Sequence, residues 1–260
     1  MSDTHGKFIW VELMTPEMEQ GARFYGHVAG WQTKDFGSPE MPYLVLEADG
    51  KGMGGIMELT EEHKGQGIPP NWTGYVGVDD VDATAKLFAE KGGSVRRPPQ
   101  DIPEIGRFAV VADPSGAVLC IMTPLPMETG GFPQETQNLP GHVGWYELAT
   151  NNVDDAIAFY GEVFGWTKDH DFDMGAEMGP YRIFAHNGKV VGGMMKCMAG
   201  APTCYWGYYF NVDGIDDAIT RVSTGGGKVV NGPMEVPGES WIVNCQDPQG
   251  AFFSLLSQKK

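Results

Sequence analysis

The sequence predicts an α+β protein built from four strand–helix–strand–strand–strand modules, two in each of two tandem domains. Three observations carry this: the chain repeats itself, each quarter passes from alternating to helical hydrophobic spacing in the same order, and an Asp-Pro turn precedes the last strand of each half. Trp10-x-Glu12-Leu13-x-Thr15 returns as Trp145-x-Glu147-Leu148-x-Thr150, and Phe24-Tyr25-Gly26-x-Val28-x-Gly30-Trp31 returns as Phe159-Tyr160-Gly161-x-Val163-x-Gly165-Trp166. Pro42-Tyr43, Gly54-Gly55, Trp72, Asp79, Gly92-Gly93 and Asp113-Pro114 recur as Pro180-Tyr181, Gly192-Gly193, Trp206, Asp213, Gly226-Gly227 and Asp247-Pro248. The expected domains are 1–123 and 142–258, joined by a Pro/Gly-bearing linker over 124–141. The second copy gains residues in the acidic stretch Lys168–Gly179, read as a loop, and loses some between Gly193 and Trp206.

The elements follow in order. Phe8–Leu13 alternates, with Ile9, Val11 and Leu13 on one face and Phe8, Trp10 and Glu12 on the other, which predicts a strand. A helix is expected over Pro16–Tyr25. In the second copy Val153, Ala156, Ile157, Tyr160 and Phe164 form one helical stripe, with Asn151 or Asn152 as N-cap and Gly165 as the stop. Strand-like pieces lie at Tyr43–Glu47 and Gly54–Leu59. The cycle restarts with Thr73–Val78, a helix over Val81–Lys91 and a strand over Phe108–Ala112. Asp113-Pro114-Ser115-Gly116 suits a type I turn, and Ala117–Met122 completes the hairpin.

Composition excludes several function classes. Lys plus Arg is 18 and Asp plus Glu is 34, so the net charge is 18 − 34 = −16, which repels nucleic acid and anionic membrane surfaces. No apolar run is long enough to cross a membrane as a helix. The four cysteines form no C-x-x-C pair, which argues against a zinc ribbon or redox dithiol. A cytoplasmic protein with reduced thiols is expected. The glycine-rich stretches do not lead from a strand into a helix as a phosphate loop must.

The paired modules, the Phe-Tyr near the end of each first helix and the Asp-Pro-x-Gly before each last strand resemble the vicinal oxygen chelate superfamily of glyoxalases, bleomycin-resistance proteins and extradiol dioxygenases. The resemblance implies two tandem glyoxalase/bleomycin-resistance-type domains. It also implies one divalent metal held by inward-facing strand residues in a concave cleft. At the positions it assigns to ligands this chain has Trp10, Thr73, Glu58 and Cys120 in the first copy and Trp145, Gly207, Lys196 and Ser254 in the second. His5, His27 and His142 have no repeat partners. No metal or other cofactor is therefore expected.

Glu12 and Glu147 recur on the face opposite the helix-packing residues. A carboxylate there is costly to bury unless it is paired or solvated, which makes both candidates for a general base or for hydrogen bonding to a ligand. The ligand-binding candidates are Trp10, Tyr43, Trp72, Tyr75 and Cys120 in the first copy and Trp145, Tyr181, Trp206, Tyr209 and Ser254 in the second. Large flat side chains suit a ring-bearing small molecule. Trp31 and Trp166 read as core plugs, and Phe24, Tyr25, Phe159 and Tyr160 as core. Arg96, Arg97 and Arg107 could meet an anionic substrate, but the second copy has Val230, Asn231 and Trp241 there.

Three readings remain. The first is a metal-free binder of a small apolar or aromatic molecule. The second is a glyoxalase-type lyase or isomerase, or a dioxygenase-related enzyme, acting on a small carbonyl compound. The third is an interaction protein whose cleft is filled. Both a monomer with paired halves and a homodimer fit the repeat.

Overall fold

The computed structural model describes residues 2–38, 41–126, 137, 139–198 and 203–260. Most of the expected linker, residues 127–136 and 138, lies outside them. Among the described residues no helix is long and apolar enough to cross a membrane.

The first module comprises β1 (Phe8–Thr15), α1 (Met18–Ala29), β2 (Gln32–Asp35), β3 (Tyr43–Ala48) and β4 (Lys51–Glu58). A short helix α2 (Glu61–Gly65) leads to β5 (Asn71–Gly77), α3 (Val81–Glu90), β6 (Ser94–Ile102), β7 (Gly106–Ala112) and β8 (Val118–Pro124). The second copy opens with β9 (Val143–Thr150), α4 (Val153–Phe164), β10 (Thr167–Asp173), β11 (Pro180–His186) and β12 (Lys189–Lys196). It closes with β13 (Tyr205–Asn211), α5 (Ile215–Thr224), β14 (Lys228–Val236), β15 (Ser240–Gln246) and β16 (Phe252–Ser257). The strands order as two eight-stranded sheets, β2-β3-β4-β1-β5-β8-β7-β6 and β10-β11-β12-β9-β13-β16-β15-β14.

Local chemistry accounts for the element ends. In β1, Ile9, Val11, Leu13 and Thr15 are buried and the alternate residues half-buried, as the period-two pattern requires. Asn152 caps α4 by accepting from the Asp154 and Asp155 amides, and the helix stops at Gly165. Asp113 Oδ1 accepts from the Ser115 and Ala117 amides at 2.8 and 2.9 Å, fixing the expected turn. α1 starts and ends later than expected. Glu17 lacks a side-chain cap; instead its amide donates to Gln249 Oε1 at 2.7 Å and its carbonyl accepts from Gln249 Nε2 at 3.0 Å.

The expected acidic loop Lys168–Gly179 contains all of β10 but its first residue, Thr167, a correction to the sequence reading. Arg182, 5% exposed, anchors that strand by donating twice to Asp171 at 2.9 Å and once to Asp154 at 2.5 Å. The guanidinium holds the Asp171 carboxyl well below the usual carboxylate range. Arg182→Met is expected to cost about 2 kcal/mol, because charge-assisted bonds to a buried donor are lost together. An unchanged urea midpoint would contradict this.

Two compact units are present, and each draws on both copies. One comprises Met1–Ile9, Thr73–Gly131 and Tyr146–Gly207, and the other Trp10–Trp72, Phe132–Trp145 and Tyr208–Lys260. In the first unit Tyr160, Phe164, Trp166, Phe184 and Trp206 form an aromatic core with ring centroids 4.7 to 6.1 Å apart. In the second, Tyr25, Trp31, Trp72 and Phe210 do the same at 4.9 to 5.8 Å. The two plug tryptophans are buried by one device: Trp166 Nε1 donates to the Gly6 carbonyl, and Trp31 Nε1 to the Gly141 carbonyl, each at 2.7 Å.

Candidate functional site

Within the second unit, β1 presents Trp10 and Glu12 half-buried on the face opposite Val11 and Leu13. β4 runs parallel to β1 with Gly55 beside Glu12, and antiparallel to β3 with Gly55 beside Val45. A Cβ on Gly55 would lie 1.9 Å from the Tyr43 hydroxyl, so the missing side chain makes room for the Tyr43 ring. That hydroxyl accepts from Trp10 Nε1 at 2.8 Å. The first unit repeats the device with another partner. Gly193 lies beside Glu147 and beside Ile183, and a Cβ there would come within 2.3 Å of the Tyr181 ring and hydroxyl. The Tyr181 hydroxyl donates to Glu147 Oε2 at 2.7 Å. A glycine-backed tyrosine therefore fixes an indole in one unit and a carboxylate in the other.

The remaining candidates fall into separate groups. Tyr75 on β5 neighbours Cys120 on β8, at 6% and 4% exposure. Tyr209 on β13 neighbours Ser254 on β16, at 4% and 7%. Trp145 is half-buried on β9. Trp72 and Trp206 join the core aromatics, on the strand faces opposite Tyr75 and Tyr209; the structure does not bring them to the same surface. Of the arginines, Arg107 is occupied by Asp82 and Asp101, while Arg97 lies over the Phe108 ring at 5.4 Å.

Sequence reasoning missed a third arrangement, within residues read only as core and turn. Trp206 Nε1 donates to the Tyr160 hydroxyl at 3.1 Å, which donates to Asp113 Oδ2 at 3.1 Å. In the second unit Trp72 Nε1 donates to the Tyr25 hydroxyl at 2.9 Å, which donates to Asp247 Oδ2 at 3.1 Å. The Phe-Tyr motif of one copy thus meets the Asp-Pro motif of the other. Burial raises both aspartates above the usual carboxylate range despite their donors, and burial followed by the Asp247 charge raises Tyr25. The recurrence of both motifs was the available signal.

His142 and His186 are 1% and 8% exposed, and burial holds both below the usual imidazole value. His142 Nε2 has no hydrogen-bond partner among the described residues. Their depressed folded values mean that the unfolded chain binds more protons. Their contribution is complete above the unfolded value of about 6.5 and is lost as pH falls from there toward the folded values. Asp113 and Asp247 act in the opposite sense: their contribution is full below about 3.9 and lost as pH rises through their raised folded values. A His142→Phe/His186→Phe variant should therefore lose less stability than the parent between pH 7.5 and about 5.5, compared by urea unfolding. Parallel pH curves would overturn this.

The residues at the expected metal-ligand positions do not suit a divalent ion. Trp10 and Trp145 offer indoles, which donate and do not ligate; Glu58 and Lys196 are exposed at strand ends. Among the described residues no group of three or more His, Cys, Asp and Glu is placed to hold a metal.

The sequence profile described as "Glyoxalase/Bleomycin resistance protein/Dioxygenase superfamily" matches residues 7–121 and again 141–255. The chain is 32% identical over 250 residues to CFP32 of Mycobacterium bovis, provisionally named a glyoxylase, covering 95% of this chain and 93% of that protein. It is 30% identical over 262 residues to the anthracycline biosynthesis protein DauV of Streptomyces sp. strain C5, covering 96% and 93%. Among solved structures, the Mn(II)-bound glyoxalase of Novosphingobium aromaticivorans superposes with a TM-score of 0.65 at 15% identity, over 99% of this chain and 83% of that one. The 2,3-dioxygenase LapB of Pseudomonas sp. KL28 gives 0.62 at 15% identity, over 95% and 90%. With both halves matched and relatives aligned along almost its whole length, the chain belongs to the glyoxalase/bleomycin resistance protein/dioxygenase superfamily as a two-domain member.

Proposed function

We propose that this chain binds a small apolar or aromatic molecule without the metal of its glyoxalase relatives. The observation that carries this reading is the glycine-backed tyrosine, Tyr43 over Gly55 and Tyr181 over Gly193, whose hydroxyl is engaged by Trp10 Nε1 or by Glu147. It presents a flat apolar ring with a polar edge, the combination that orients a ring-bearing ligand. The donor chemistry at the metal-ligand positions supports the metal-free part. One relative, DauV, is named for anthracycline biosynthesis, which supports a fused aromatic compound as the ligand class.

Titrating the protein with an anthraquinone while following tryptophan fluorescence should give saturable quenching. Tyr43→Phe and Tyr181→Phe should each weaken binding by about fivefold, the loss of one hydrogen bond at the ring edge. Absence of saturable quenching would overturn the reading.

A second reading is favoured by the Glu147–Tyr181 hydrogen bond alone. A half-buried carboxylate held by a phenol is a proton acceptor in a fixed position, suited to isomerising an enolisable carbonyl compound, with Glu12 at the equivalent register. Turnover of an α-ketoaldehyde hemithioacetal that disappears in Glu147→Gln or Glu12→Gln would establish this reading in place of simple binding.

A further inference from the structure

The second copy departs from the first between Gly193 and Trp206. There it carries Cys197 and Cys204 where the first copy has Leu59 and Pro70. Both are anchored at the end of β9. The Cys197 amide donates to the Thr150 carbonyl at 2.7 Å, and Cys204 Sγ donates to Asn151 Oδ1 at 3.5 Å. Cys197 Sγ reaches the Thr203 carbonyl oxygen at 3.7 Å, one peptide bond from Cys204. Cys204 is buried and Cys197 half-buried; Cys120 and Cys245 are buried on β8 and β15.

We propose that Cys197 and Cys204 form a redox-active dithiol that closes to a disulfide on meeting a peroxide, although no C-x-x-C spacing announces it. The more accessible Cys197 thiolate attacks one peroxide oxygen, the O–O bond breaks, and hydroxide leaves to give a sulfenic acid. The Cys204 sulfur then attacks that sulfur; the S–S bond forms and the S–O bond breaks. The Cys204 proton leaves with the hydroxide as water. With hydrogen peroxide the first hydroxide takes up the proton Cys197 released, so two thiols and one hydrogen peroxide become one disulfide and two waters.

The geometry assigns the roles. Cys197 is the more accessible thiol and meets the peroxide first, and the buried Cys204, next in the chain to the Thr203 carbonyl that Cys197 Sγ reaches, is left to resolve the sulfenic acid.

The test treats the reduced full-length protein with stoichiometric hydrogen peroxide, counts thiols, and maps peptides by mass without reduction. The expected result is a Cys197–Cys204 cross-link that has lost two hydrogens, a thiol count falling from four to two, and full recovery with dithiothreitol. Cys204→Ser should stop at a Cys197 sulfenic acid trapped by dimedone. Sulfinic acid on Cys197 with Cys204 still free, a cross-link through Cys120 or Cys245, or no thiol loss would each overturn the proposal. Mapping of the wild-type protein decides the question even if the variant fails to fold.

Discussion

Tyr160→Phe is expected to lower stability by about 2–3 kcal/mol, and Tyr25→Phe by a similar amount. The hydroxyl in each case both accepts from a buried tryptophan, Trp206 or Trp72, and donates to a buried carboxylate, Asp113 or Asp247. Its removal leaves an indole N–H unpaired and takes one of three donors from an aspartate whose other two are turn amides. Phenylalanine keeps the ring and its packing, so the loss isolates the hydrogen bonds from aromatic burial. Urea unfolding measures it. A change below about 0.5 kcal/mol in both variants would mean that these bonds, each within one unit, do not stabilise that unit.

The second large effect separates two adjacent glycines. Gly192→Ala is expected to destabilise by about 3 kcal/mol, because its Cβ would meet the Tyr146 carbonyl oxygen of the paired strand at 1.9 Å and β12 would have to draw away from β9. For Gly193→Ala the three nearest atoms all belong to the Tyr181 side chain, at 2.3 Å, and that half-exposed side chain can swing outward. Its stability cost should be about 1 kcal/mol, while ligand binding falls by at least about tenfold, since the ring leaves the Glu147 carboxylate. Denaturation and fluorescence titration on the same two variants distinguish the effects. Equal stability losses, or full binding by Gly193→Ala, would contradict the role given to the glycine-backed tyrosine.

Much of this architecture was legible in the residues. The alternation of Ile9, Val11 and Leu13, the Asn152 cap and the Asp113 turn each rest on local chemistry and appear where local chemistry puts them. β2 and β10 were not legible: they lie at one edge of each sheet with every residue exposed, so no hydrophobic period marks them. β6 and β14, at the opposite edges, carry Arg96-Arg97-Pro98-Pro99 and Gly232-Pro233 and are also largely exposed. The start of α1 depends on Gln249, far along the chain, which no local pattern reveals. For the site, Glu12 alternates with buried neighbours on β1 as its register requires, whereas Glu147 lies in a run of three half-buried residues on β9. The aromatic residues were harder to sort: Trp72 and Trp206 differ from Tyr75 and Tyr209 only in strand parity, and an aromatic residue type does not say which face it occupies.

Metal-free binding of an aromatic ligand is tested most directly by one titration. The protein is treated with chelator, its metal content is measured, and an anthraquinone is titrated in before and after divalent manganese is added. Saturable binding of unchanged affinity in both states is the expected result. Binding or turnover that appears only after the metal is added would contradict the proposed function.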